Sequence, residues 1–413
     1  MKAIVSNPVK QYTHHLCYSL QQADALERFF TTIWYKPDSF PYSAVNILPG
    51  PLKSKLISTL RKRHFPPLNA DLIHQHGHAE LIRQMGVALG RKGEKRVFEM
   101  EQKHDAYVAQ RIVASEADVV IGYEKSCLNT FNAAHQHGKK AVLDLAQVHY
   151  RKIIQLAERF PSFAHSLPDP KTQKEINDTK EAEYREADYI LTLSSFARDT
   201  MLEEGLAPEK VKKVSLGFDP SRFSPKSTYR ESGPFKMLFA GTLTKRKGLD
   251  ILLKAHKELN FPNSELILVG PVANAADLMQ AYQGDFTYVP FLHHEELARY
   301  YQEADVFVFP SYLDSWAMVV LEAMACGTPV IVTDHTGAKD AVARGGGEII
   351  PAGDLDALKR ELTRYYENRE LLRETGRVAR SVAAHYSWEH YYQKILHVLT
   401  EIAYPKYANS SHH

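Results

Sequence analysis

Two acids, Asp314 and Glu322, stand eight residues apart in the run VFVFPSYLDSWAMVVLEAMACGTPVIVTD, from Val306 to Asp334. Val306 to Phe309 is apolar without alternation, the pattern of a strand covered on both faces. Pro310 and Ser311 end it. Ala317 to Cys326 are good helix formers, Gly327 stands where a helix-stopping glycine belongs, and Pro329 to Val332 begin another buried strand. Asp314 is then in a loop at a strand's carboxyl end, where open parallel sheets bind ligands. Glu322 is about one and a half turns into the helix. The helix amino terminus between them offers free N–H groups and a positive dipole end, a ready phosphate site. A phosphate repels carboxylates, so hydroxyls are their natural partners. Phosphates together with a polyol point to a nucleotide sugar.

A second phosphate candidate is the loop Gly241-Thr242-Leu243-Thr244-Lys245-Arg246-Lys247-Gly248. An apolar strand, Phe235–Ala240, leads into it and a helix leaves it at Leu249. Glycines allow close backbone approach, the helix amino end points into the loop, and three consecutive cations supply charge against a diphosphate. Gly270-Pro271 ends the strand from Glu265 in a tight turn that lets a base or ribose approach. In the amino-terminal half, strand ends present Lys10, His76, Glu124 and His149. His74, His76 and His78 alternate, but Gly77 breaks the strand and no cysteine completes a metal set. Asp354 and Asp356 open a helix, where aspartate is a good cap. No metal site is expected.

The positioning elements are strands alternating with helices. Strand patterns run Lys2–Ser6, Arg28–Tyr35, Asp71–His74, Ala117–Gly122, Lys140–Leu145, Ala187–Ser195 and Val211–Leu216. Helical spacing covers Tyr12–Leu26, Tyr150–Phe163, Thr172–Ala187 and Phe196–Glu204, while Lys36–Leu68 reads as irregular. Lys226–Pro234 is a polar linker with Gly and Pro. The expected fold is α/β, two doubly wound Rossmann-like domains facing across a cleft. Their limits are 1–225 and 235–385, with a terminal helix, 388–405, packing back on the first.

The chain's 413 residues are ample for two cores; 44% hydrophobic and 24% charged residues are ordinary for a globular protein. A net charge of +2 gives no sign of nucleic-acid binding, and there is no recognition motif. Three scattered cysteines, Cys17, Cys127 and Cys326, argue for a reducing compartment. No apolar run is long enough for a membrane span, and the start reads as a strand rather than a signal peptide. Basic clusters at Lys53, Lys55, Arg61, Lys62 and Arg63, and at Arg91, Lys92, Lys95 and Arg96, read as solvated helix faces or as contacts for an acidic acceptor or an anionic membrane face.

The segment PSYLDSWAMVVLEAMACGTPVI, with its D-x7-E, resembles the E-x7-E segment of the retaining GT-B glycosyltransferases, in particular family 4, the glycosyl transferases group 1. Asp314 replaces the usual Glu, and Ser315-Trp316-Ala317 the usual Gly-Phe-Gly. The Gly241–Gly248 loop resembles the family's G-R-L-x-x-x-K-G: Lys247 and Gly248 match, Thr242 takes the place of the Arg, and Arg246 is a candidate substitute. Gly217-Phe218-Asp219 with Phe223-Ser224-Pro225 resembles the exit from the family's first domain. The resemblance covers nearly the whole chain and is strongest from Val211 onward.

The resemblance implies a donor site in the second domain and an acceptor site in the first. Asp314 would meet the donor sugar and Glu322 the ribose. Gly241, Thr242, Arg246, Lys247, Ser315, Trp316 and Ala317 would surround the phosphates, and Gly270 and Pro271 the base or ribose. His149 would hold the reacting sugar, completing a catalytic set with Asp314 and Lys247. Lys10, His76 and Glu124 are acceptor candidates. The implied reaction moves a sugar from a nucleotide sugar to a hydroxyl of a glycan, glycolipid or small molecule, with retention and without metal or cofactor. A UDP-sugar is favoured as donor and GDP-mannose is open. A nucleotide-sugar epimerase and a non-catalytic nucleotide-sugar-binding module remain as alternatives. The expected location is the cytoplasm, with peripheral contact at a membrane's inner face as a variant.

Overall fold

The computed structural model describes residues 1–9, 12–36, 39–40, 42–47, 49–61, 63–77, 80, 93–164 and 169–405. Its first sheet has strands β1 (Ala3–Ser6), β2 (Leu26–Thr31), β3 (Ile73–Gln75), β4 (Val119–Tyr123), β5 (Lys140–Leu145), β6 (Tyr189–Thr192) and β7 (Val211–Lys213). They lie in the order β3-β2-β1-β4-β5-β6-β7. The second sheet has β8 (Phe235–Ala240), β9 (Ser264–Val269), β10 (Thr287–Val289), β11 (Val306–Phe309), β12 (Val330–Thr333) and β13 (Gly347–Ile350). Their order is β10-β9-β8-β11-β12-β13. Every pairing is parallel. The fold is therefore two doubly wound α/β sheets. The central strands β1, β4, β11 and β12 are buried along their whole length, and β8 at all but one residue, as their unalternating apolar runs require.

Some strands stop earlier than their apolar pattern. The run to Tyr35 pairs only to Thr31, yet Ile33 and Trp34 beyond it stay buried. Apolar runs report burial, and burial continues under loops after the ladder ends. The stretch expected to be irregular, Lys36–Leu68, contains a helix, Gly50–Arg61. Leu56 and Leu60, one turn apart, bury it against Ile33 and Tyr35.

The last helix, Trp388–Ala403, packs on the first, Thr13–Gln22. His15 stacks on Trp388 with centroids 3.5 Å apart and shares a 2.7 Å hydrogen bond with the Tyr392 hydroxyl. The crossing from the second sheet is pinned by Phe218 N to Tyr386 O at 2.9 Å and Trp388 N to Phe218 O at 3.2 Å.

Candidate functional site

In the second sheet the strand order reverses between β8 and β11. The loops leaving these strands, residues 241–248 and 310–317, are stitched side by side. Tyr312 N donates to Arg246 O at 2.9 Å, and the Arg246 guanidinium donates to the Leu313 carbonyl. Gly248 has φ +72°, and a Cβ there would lie 1.9 Å from the Pro310 carbonyl oxygen. Gly270, at the end of β9, has φ +132°, and its Cβ would lie 2.1 Å from the Gly241 oxygen. These glycines let three loops meet at one point, with Pro271 exposed beside them.

The three consecutive cations diverge. Lys245 turns to Asp277 at 2.5 Å on the surface. Arg246 is spent on Leu313, so it holds the Asp314 loop in place instead of offering a free guanidinium. Lys247 alone turns inward. Its Nζ is 3.0 Å from where a Gly241 Cβ would be and 5.2 Å from the Phe309 ring centroid. Among the described residues it makes no hydrogen bond or ion pair. Burial lowers its pKa, while Asp314 raises it and Arg246 lowers it. Thr242 is exposed on the loop.

Asp314 caps its own turn, accepting from Trp316 N at 3.2 Å, and its backbone bridges to Thr336. Gly337 N donates to Asp314 O at 2.8 Å. Ser315 Oγ crosses to the first domain and donates to Ala146 O at 2.7 Å. Ala317 has φ 64° and ψ 70°, left-handed, and precedes the helix Met318–Ala325. Glu322 lies within that helix, 5% exposed, and accepts from the Tyr301 hydroxyl at 3.1 Å. Burial pushes its pKa up to about 7, with the Tyr301 hydrogen bond pulling the other way.

A cavity of about 560 Å³ opens between the domains, and Lys247, Asp314, Ser315, Trp316 and Ala317 line it from the second. From the first come Tyr12, His15, Phe65, Ala146 and Gln147, with Trp388 from the returning helix. The aromatic side of this cavity has no signature in the sequence. Trp388 lies far along the chain from its neighbours, and no local pattern announces the contact. Beneath Tyr12 is Asp144, near the end of β5, which accepts from the Tyr12 hydroxyl; burial pushes its pKa up to about 6.

His149 is not among the cavity-lining residues. It caps the helix Tyr150–Arg159, its Nδ1 accepting from Arg151 N at 3.2 Å, and its ring lies against Tyr150 and Tyr184. It is 1% exposed, and burial lowers its pKa, so the ring is neutral at pH 7. The chain turns into a helix soon after the strand end, which swings this side chain inward and leaves Ala146 and Gln147 facing the cavity. Glu124 is spent on the Tyr184 hydroxyl and on Lys180 at 3.4 Å. His76, past β3, shares a 3.0 Å hydrogen bond with His104, which in turn bonds Ser6 Oγ at 3.0 Å. Burial holds His76 down to about 4 and His104 to about 3. Neither Glu124 nor His76 lines the cavity. Lys10 lies outside the described residues, as do His78, Lys62, Arg91 and Lys92. Arg63 is withdrawn from its basic cluster, bonded to Pro8 O at 3.1 Å and Glu80 at 3.3 Å.

Asp354 caps the helix Leu355–Glu367, accepting from Ala357 N at 2.8 Å, and Asp356 is exposed. Among the described residues, no three His, Cys, Asp or Glu side chains converge as metal ligands would, and no helix is long and apolar enough to cross a membrane.

Two facing Rossmann-like domains with a cavity at the second sheet's switch point are the GT-B fold. Nearly the whole chain superposes on solved structures of that fold. Sucrose-phosphate synthase of Thermosynechococcus elongatus matches with TM-score 0.69 at 18% identity, covering 97% of this chain and 99% of that one. Anabaena HepE in complex with UDP-glucose matches with TM-score 0.62 at 16% identity, covering 97% and 100%. Residues 221–382 match the model of the glycosyl transferases group 1 family. A putative colanic acid biosynthesis glycosyltransferase of Salmonella typhimurium is 28% identical over 196 residues, 44% of this chain and 48% of that protein. A D-inositol 3-phosphate glycosyltransferase of Paenarthrobacter aurescens is 31% identical over 171 residues, 38% and 41%. The chain spans about half the length of the curated relatives it matches.

Proposed function

We propose that the chain is a glycosyltransferase that moves a sugar from a nucleotide-sugar donor to an acceptor hydroxyl, with retention of configuration and without a metal ion. The observation that carries this reading is Lys247. It is an inward-facing ammonium with no hydrogen-bond or ion-pair partner among the described residues, beside Gly241 and at the cavity that Asp314 also lines. Such a cation suits a donor diphosphate, and it gains most from the charge that develops as the sugar–phosphate bond breaks. The bonding electrons leave with the phosphate. The acceptor oxygen attacks from the same face, and its proton passes to the departing phosphate. Asp314 is the candidate partner for the sugar hydroxyls. His149, held as a buried helix cap, has no step in this scheme. The complex of Anabaena HepE with UDP-glucose supports a UDP-sugar as donor, and GDP-mannose remains the second candidate. The acceptor is a glycan, glycolipid or small molecule that enters against the aromatic wall of the first domain.

The test is donor turnover over a panel of nucleotide sugars, followed as release of the nucleoside diphosphate. Lys247→Ala is expected to lower kcat by about a hundredfold or more. Unchanged turnover in that variant would remove the lysine from the reaction. Nucleotide-sugar binding with no turnover on any acceptor would favour the binding-module reading.

A further inference from the structure

A second polar cavity, of about 440 Å³, shares no lining residue with the interdomain cavity among the described residues. The linker from Pro225 to Tyr229 forms one side. The helix Arg369–Ala383 forms the other and presents Arg373, Arg377 and Arg380 at positions i, i+4 and i+7, a single helix face. Lys226 is the fourth cation, and no carboxylate is among the described residues that line the cavity.

Part of this charge is already committed. Lys226 Nζ donates to Ala304 O at 2.7 Å, and Arg373 is paired with Glu370. Arg377 and Arg380 have no hydrogen bond or salt bridge among the described residues. Both act on Tyr229, whose hydroxyl is turned away to Gly327 O at 3.0 Å. The walls are fixed by close packing. A Cβ on Gly376 would lie 2.3 Å from the Gly327 oxygen and 2.6 Å from the Tyr229 hydroxyl, so the arginine helix and the linker are locked together. Like charges at i, i+4 repel on a helix, and a bound anion removes that repulsion. Guanidinium groups match phosphate oxygens in paired hydrogen bonds. The volume falls in the ordinary range for a small-molecule site, well beyond a single phosphate ion.

We propose that this cavity is a second anion site, remote from the transfer cleft, taking a small molecule that carries two or more phosphate groups. Because helix Arg369–Ala383 packs through Gly376 on Gly327, its occupant stands at the far end of the helix Met318–Ala325, whose amino end lines the cleft. The site does not depend on the glycosyltransferase reading.

Tripolyphosphate titrated calorimetrically is the probe, in Lys247→Ala protein so that the cleft lysine does not contribute. Binding is expected, weakening steeply with salt. Adding Arg377→Ala and Arg380→Ala should weaken it by about tenfold or more per arginine, while Arg377→Lys with Arg380→Lys retains part of it. Equal affinity with and without the two arginines, or no binding to the Lys247→Ala protein, overturns the proposal. Titrating UDP into Arg377→Ala/Arg380→Ala protein with Lys247 intact reads the cleft separately. Unchanged UDP affinity there is expected, and a parallel loss of UDP affinity would refute two independent sites.

Discussion

Ser315 Oγ donates a 2.7 Å hydrogen bond to the Ala146 carbonyl, joining the Asp314 loop of one sheet to the end of β5 in the other. Both residues line the interdomain cavity. Ser315→Ala leaves that carbonyl without this partner and is expected to cost about 1 kcal/mol of unfolding free energy, read from urea titration. Stability equal to the parent's would show that this contact does not help hold the domains together.

Ala317 occupies left-handed backbone, φ 64°, at the start of the helix that faces the cavity. A side chain with a Cβ resists that conformation by roughly 1 kcal/mol. Ala317→Gly relieves the resistance but frees the unfolded chain, so the net gain expected is about 0.5 kcal/mol. A loss of stability in denaturant titration would mean that the methyl group's packing outweighs the strain.

Gly248 and Gly241 should differ in how their alanine variants fail. A methyl at Gly248 meets the rigid Pro310 carbonyl at 1.9 Å, whereas one at Gly241 meets the movable end of Lys247 at 3.0 Å. Gly248→Ala is expected to unfold several degrees lower by calorimetry. Gly241→Ala, although strained at φ +133°, should lose more in nucleotide affinity than in melting temperature. The reverse ranking would count against the loop geometry.

Glu322 is buried in the folded chain with its pKa raised to about 7 from 4.5. A raised acid keeps its proton in the folded state after the unfolded chain has lost it. Stability from this group is therefore fully present below about pH 4.5, falls as pH rises, and levels above about pH 7. Glu183, raised to about 8 by burial, adds a decline of the same sign reaching higher pH. Glu322→Gln is expected to flatten the slope between these limits in urea titrations at stepped pH. An unaltered slope would place the effect elsewhere.

Much of the scaffold was legible because parallel strands buried on both faces leave unalternating apolar runs, and Val306–Phe309 and Val330–Thr333 are such strands. The glycines at 248 and 270 read in the sequence as room for a ligand, whereas the structure uses that room to pack loops against the Pro310 and Gly241 carbonyls. The direction of side chains was not legible. Three adjacent cations look alike in sequence, yet Asp277 takes Lys245, a carbonyl takes Arg246, and only Lys247 reaches the cavity. His149 stands two residues from Gln147, but the start of a helix turns it away. The arginines at 373, 377 and 380 carry helical spacing that a search for charged faces would have found.

Lys247 as the anchor of a donor diphosphate is tested most directly by thermal stabilisation with nucleotides and nucleotide sugars. A ligand at about a hundred times its Kd adds ~2.7 kcal/mol of stability. A clear upward shift is expected with one nucleoside diphosphate and its sugar conjugate, UDP foremost, and a much smaller shift in Lys247→Ala. No shift with any nucleotide, or an equal shift in Lys247→Ala, would contradict that role.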